Sequence, residues 1–206
     1  MTEKIAGLLL AGGRSSRFGR DKTQSLLGGE TLLARALMRL GPQVSALAIS
    51  SNADPATLSR YGRPVLADAL EGYAGPLAGV AAGLAWARET IAGDGILVTA
   101  AADTPFFPED LAARLAAAAR ETGTPAMAAS QSGTHPTFAA WPLSVEPALA
   151  DYLQGGGRKL HDFMARAGAL RVEFPVERLG GTGIDPFFNI NTPDDLAEAE
   201  RHLAEG

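Results

Sequence analysis

Residues Leu10-Ala11-Gly12-Gly13-Arg14-Ser15-Ser16-Arg17-Phe18-Gly19-Arg20-Asp21-Lys22 place paired glycines and repeated cations directly after an apolar run. Glycine lets backbone N–H groups converge on anionic oxygens with no Cβ in the way. Arg14, Arg17 and Lys22 would neutralise the charge those oxygens bring, so the segment predicts a triphosphate cradle. It has neither the G-x-x-x-x-G-K-[ST] spacing of an NTPase loop nor the G-x-G-x-x-G of a dinucleotide fold. On the residues alone, a tight strand-to-helix turn followed by a solvated charged loop is the alternative.

A second candidate is Asp103, delivered at the carboxyl end of the apolar run Ile96-Leu97-Val98-Thr99-Ala100-Ala101-Ala102. Open α/β sheets bind ligands at that end of their strands. A carboxylate there suits Mg²⁺, which shares oxygen ligands among one or two protein acids, phosphates and water. The alternative is a turn closed by Asp103-Thr104-Pro105. Asp68 likewise sits just beyond Val65-Leu66-Ala67, ahead of a glycine-proline loop at 72–79. In that loop Gly75-Pro76-Leu77-Ala78-Gly79 opens a helix, either to hold an anion or frame a base with its amides, or only to pack with Pro in the first turn. Asn52, after Ile49-Ser50-Ser51, reads as a base or ribose contact or as a turn residue. His135, one of three histidines, reads as a surface or hydrogen-bonded core residue rather than a catalyst. Asn189 and Asn191 alternate with apolar residues and share one face of an extended segment. They would grip a polar ligand, support metal-bound water, or satisfy backbone groups ahead of a Thr192 cap.

These residues need a scaffold, and the chain supplies an α/β pattern in which strand-like apolar runs alternate with Ala- and Leu-rich helical segments. The strands are expected at 5–10, 46–50, 64–67, 96–100, 125–129, 138–141 and 171–175. Helices are expected at 32–40, 76–88, 108–121, 145–154, 159–167 and 192–204. Pro108-Glu109-Asp110 places Pro and acids in a first turn, and Asn191-Thr192-Pro193-Asp194-Asp195 offers a Thr cap with Pro and two acids behind it. The glycine run 155–157 and the stretch 179–185 are expected to be loops. No internal repeat is present, and residues 1–206 are expected to form one domain.

With a formal net charge of -5, the chain lacks the clustered basic face of a general nucleic-acid binder. The absence of cysteine excludes disulfides and thiolate metal sites. The opening Met1-Thr2-Glu3-Lys4 carries an acid where an export signal would be basic, and no run approaches the roughly 20 apolar residues of a membrane span. A cytoplasmic protein with neither membrane nor nucleic-acid partners is the expectation.

The opening signature, with Gly75-Pro76-Leu77-Ala78-Gly79, Asp103-Thr104-Pro105, His135-Pro136-Thr137 and Asn189-Ile190-Asn191-Thr192-Pro193, resembles the molybdenum cofactor guanylyltransferases of the nucleotidyltransferase superfamily. The motifs follow in order over nearly the whole chain. The resemblance implies a three-layer Rossmann-like nucleotidyltransferase fold with a mostly parallel mixed sheet between helices. It implies a Mg²⁺-dependent transfer of GMP from GTP to molybdenum-molybdopterin, with pyrophosphate released, and it admits transient contact with cofactor-maturation proteins. Carried over by position, Leu10, Ala11, Gly12, Gly13, Asn52 and Asp68 contact the nucleotide, while Lys22 and Arg17 meet its phosphates. Asp103 borders GTP and holds the metal, and the closing asparagines lie toward the pterin. Gly12-Gly13 in place of an Ala-Gly pair favours guanine in the family pattern. Phe18 departs from it, standing where many members have Met.

Overall fold

In the computed structural model, which describes residues 4–12, 22–68, 75–91, 93–179 and 182–205, the run Ile5–Leu10 forms β1 inside a seven-stranded sheet. That sheet also contains β4 (Ala46–Ser50), β5 (Val65–Leu66), β6 (Ile96–Ala101), β7 (Ala126–Ser130), β8 (Gly133–Pro142) and β9 (Leu170–Glu173). The strand order is β5-β4-β1-β6-β8-β7-β9. β8 pairs antiparallel with both β6 and β7, and every other pairing is parallel. Because β8 is reversed, its first residues reach the edge where the parallel strands end. Two hairpins stand outside the sheet, β2 (Leu26–Leu27) with β3 (Glu30–Thr31) and β10 (Glu177–Leu179) with β11 (Thr182–Ile184).

Among the described residues seven α-helices surround the strands: α1 (Leu32–Leu40), α2 (Pro55–Leu58), α3 (Pro76–Ile91), α4 (Leu111–Thr122), α5 (Glu146–Gln154), α6 (Leu160–Arg166) and α7 (Pro193–Glu205). The central strands β1, β4 and β6, with β7, are buried on both faces, so their side chains alternate between two cores. Ile96, Val98 and Ala100 of β6 join Leu33, Ala36 and Leu40 of α1 and Leu111 and Leu115 of α4. Leu97 faces the other way, toward Leu77, Val80 and Leu84 of α3, Leu149 and Leu153 of α5, and Phe163 of α6. Each fully buried side chain of this size stabilises the fold by about 1.5–3 kcal/mol. A third cluster seats Ala199 of α7 on Leu27, Leu32, Phe106, Ile184 and Ile190. Among the described residues no helix is long and apolar enough to cross a membrane.

Local signals explain most boundaries. Thr31 caps α1 by accepting from Ala34 N–H at 3.1 Å, and Gly123 closes α4 in the left-handed region at φ 69°. Three expectations need correction. α4 begins at Leu111, so Pro108-Glu109-Asp110 precedes it rather than filling its first turn, and Asp110 makes no side-chain cap bond. The Ala112 N–H is capped instead by Gln43 Oε1 at 2.9 Å, a partner from the turn after α1. β8 starts at Gly133, well before the expected 138–141, because Thr134 and His135 pair with β7. Finally, Leu179 and Thr182 close the β10–β11 pairing, so the stretch expected to be a loop includes ladder residues.

Candidate active site at the carboxyl edge of the sheet

Ala11, just past β1, stays between the neighbouring strands because the ladder continues past the strand. Ala11 N–H donates to Ser50 O at 2.9 Å, and Ala102 N–H donates to Leu10 O at 3.1 Å. Ser51 N–H reaches Leu66 O at 2.9 Å, which gathers the ends of β1, β4, β5 and β6 along one edge. A Cβ built on Gly12 meets nothing within 4 Å among the described residues. A Cβ on Gly79 would instead collide with the Ser50 side chain. Glycine at that position lets the first turn of α3 stand against the end of β4.

Lys22 and Asp103 meet at this edge as an ion pair, with side chains only 18% and 14% exposed. Lys22 Nζ also donates to Asn191 Oδ1 at 2.8 Å. Ile190 N–H donates to Asp103 O at 3.0 Å, which ties the Asn189-Ile190-Asn191 segment to the end of β6. The chain therefore brings together a cation, a carboxylate and an amide from three distant segments. On the far side of β1, Asn52 and Asp68 make a two-point pair. Asn52 Nδ2 donates to Asp68 Oδ2 at 2.7 Å, and Asp68 N–H donates to Asn52 Oδ1 at 2.9 Å. Gly13 and Arg17, the other two expected nucleotide and phosphate contacts, lie outside the described residues.

Asp195 completes the strap that carries Asn191. Its Oδ2 accepts from the N–H groups of Asn191 and Thr192, both at 2.8 Å, while Thr192 Oγ1 accepts from Asp195 N–H at 3.1 Å. This reciprocal cap fixes the start of α7. Burial alone would raise the carboxyl pKa, but the hydrogen bonds from Asn191 and Thr192, with the charge of Lys22, hold it below the ordinary value. A carboxylate depressed in this way stabilises the fold above its unfolded pKa, and the contribution disappears as pH falls through the folded value. Asp195→Ala is accordingly expected to lower the melting temperature at neutral pH. That deficit closes in thermal melts taken at progressively more acid pH, below the usual carboxylate range.

At the other end of the same edge, His135 of β8 contacts Ser130 and stacks on Phe187 with ring centroids 4.5 Å apart. The expected hydrogen-bonded histidine is present, but Ser130 and Asp185 had no motif to mark them. Ser130 was detectable only as the polar residue ending an apolar strand, the rule that singled out Asp103. Among the described residues no group of three His, Asp or Glu side chains is placed to hold a metal ion. Asp103 alone fits a hard cation that takes its remaining ligands from phosphate and water.

A parallel-dominated sheet with a lysine and a strand-end carboxylate on one edge is the frame of a nucleotidyltransferase, and the relatives of this chain are of that class. The family description MobA-like NTP transferase domain matches residues 7–170. A molybdenum cofactor guanylyltransferase of Mesorhizobium japonicum is 51% identical over 208 residues, covering 98% of each chain. Another from Rhizobium leguminosarum bv. trifolii is 44% identical, covering 97% of this chain and 93% of its own. The crystal structure of molybdopterin-guanine dinucleotide biosynthesis protein A from Archaeoglobus fulgidus superposes with a TM-score of 0.73 at 28% identity, covering 98% of this chain and all of that one. The chain belongs to the molybdenum cofactor guanylyltransferase family within the MobA-like NTP transferases.

Proposed function

We infer that the chain transfers GMP from GTP to the phosphate of molybdenum-loaded molybdopterin, releasing pyrophosphate. The observation that carries the reading is the convergence of Lys22, Asp103 and Asn191 where β1 and β6 end. Similarity over the full chain to named guanylyltransferases supports the choice of substrates. The acceptor phosphate oxygen attacks the α-phosphorus, a new P–O bond forms, and the α–β anhydride bond breaks. A phosphate monoester with a second pKa of about 6 is already ionised near neutral pH, so no general base is required. Repulsion between two anions is the obstacle, and positioned positive charge is the remedy.

Lys22 would meet the phosphates, held by Asn191 so that its ammonium points along the edge. The Gly12 backbone, which carries no Cβ, would admit the triphosphate closely. Asn52 and Asp68 would hold the nucleotide on the β4–β5 side, each fixing the other's orientation. Asp103 would hold a divalent cation, Mg²⁺ in this reading, which when bound neutralises charge on the phosphate oxygens. The seven-stranded sheet draws strands from residues 5 to 173 and α7 packs back near β2, which supports one domain for the whole reaction.

Mixing purified protein with loaded molybdopterin and either GTP or CTP tests the reading. Pyrophosphate and the guanine dinucleotide are expected from GTP. Preferential turnover of CTP would reassign the chain to cytidylyl transfer, and binding of GTP without pyrophosphate release would make it a carrier of the cofactor.

A further inference from the structure

Ser130, His135 and Asp185 form a polar cluster that the GTP chemistry leaves unused. Ser130 is only 7% exposed at the end of β7. Its Oγ lies 2.7 Å from Asp185 Oδ2, 2.8 Å from His135 Nε2 and 3.1 Å from Ser132 Oγ. A carboxylate only accepts, so the single Ser130 proton goes to Asp185. Ser130 Oγ is then the acceptor for His135, and the network assigns the ring proton to Nε2. Burial lowers the imidazole pKa more than the Asp185 charge raises it, which keeps the ring neutral near pH 7. Nδ1 is left as a bare lone pair, and no group among the described residues bonds it.

The backbone is shaped to present this ring. Met127 pairs with Ala139 and the next residue, Ala128, pairs with His135, so Pro136, Thr137 and Phe138 bulge out of the ladder. A bulge re-aims the side chains beside it. Phe187 covers one face of the imidazole, and its own N–H donates to Asp185 Oδ1 at 2.8 Å. One short segment thereby fixes both the ring and the ring's partner.

Strand order separates this cluster from the nucleotide side. Asn52 follows β4, which lies three strands from β8, or about 14 Å at roughly 4.8 Å per strand. An anion is disfavoured beside the Asp185 charge, and a neutral acceptor calls for an N–H donor. We propose that His135 recognises the acceptor substrate, its Nδ1 taking a hydrogen bond from the 2-amino-4-oxopyrimidine edge of a pterin. The assignment rests on the acceptor being molybdopterin, as inferred above. Guanine carries the same edge, so the test separates the two sources.

His135→Phe and His135→Asn are compared with the parent in the full chain. Molybdopterin binding is read by pterin fluorescence without GTP, and KM is measured for each substrate. His135→Phe is expected to weaken molybdopterin binding about tenfold while KM for GTP stays within about twofold. His135→Asn, whose Oδ1 lies near the position of Nδ1, recovers most of that binding. Asp185→Asn weakens it in the same direction, and ¹⁵N NMR of the parent shows a protonated Nε2 with a bare Nδ1. A rise in KM for GTP alone, unchanged molybdopterin binding in every variant, or a proton on Nδ1 would overturn the proposal. Should His135→Phe not fold, Asp185→Asn and the NMR spectrum decide it. Molybdopterin binding that depends on His135 without any GMP transfer would sink the reaction above and leave this contact standing.

Discussion

Asp103→Asn lowers pyrophosphate release from GTP and loaded molybdopterin by about 10²- to 10³-fold, the scale expected when one preorganised electrostatic contact is removed from a reacting phosphate. The substitution conserves volume. The bond from Ile190 N–H to the Asp103 carbonyl belongs to the main chain and is unaffected. Lys22 keeps its Asn191 partner, so the edge retains its shape and loses one negative charge. Initial rates at saturating GTP measure the effect, and a melting temperature close to the parent's separates it from unfolding. A rate within about threefold of the parent would remove Asp103 from the phosphate chemistry.

Trp141→Ala destabilises the fold by about 3–5 kcal/mol, enough to lower the melting temperature by roughly 10 °C in a chain of this size. Trp141 is fully buried in β8 and stacks on Phe163 of α6 with centroids 6.2 Å apart. Its Nε1 donates to Thr99 Oγ1 at 3.1 Å, so the indole also satisfies a polar group inside the apolar layer. Truncation leaves a cavity under α6. Calorimetry gives the size of the loss, and a shift of only a degree or two would mean that the layer collapses into the space.

The scaffold was legible because buried strands announce themselves. Ile5–Leu10, Ala46–Ser50 and Leu32–Leu40 have the expected bounds, since uninterrupted apolar runs and a Thr31 cap are local signals. Convergence was legible only in part. The strand-end rule brought out Asp103 and Asp68, yet no spacing shows that Asn191 grips Lys22, a contact across 169 positions that exists only once α7 docks. Asp185 was unreadable for the same reason, because its partner Ser130 is 55 positions away. The start of α4 was misplaced because its cap, Gln43, comes from another element. Long-range partners of polar side chains are set by topology, and topology has no local periodicity.

The reversed strand β8 has one more consequence. On the proposed assignments, the phosphate chemistry sits at the ends of β1 and β6, the nucleotide contacts hang from the crossovers after β4 and β5, and the acceptor contact enters from β8. The nucleotide contacts after β4 and β5 and the acceptor contact on β8 thus occupy separate stretches of chain on opposite flanks of a shared reaction centre. Mutation can retune either flank while the centre keeps its residues, which makes the architecture a modular one for exchanging partners around a fixed reaction.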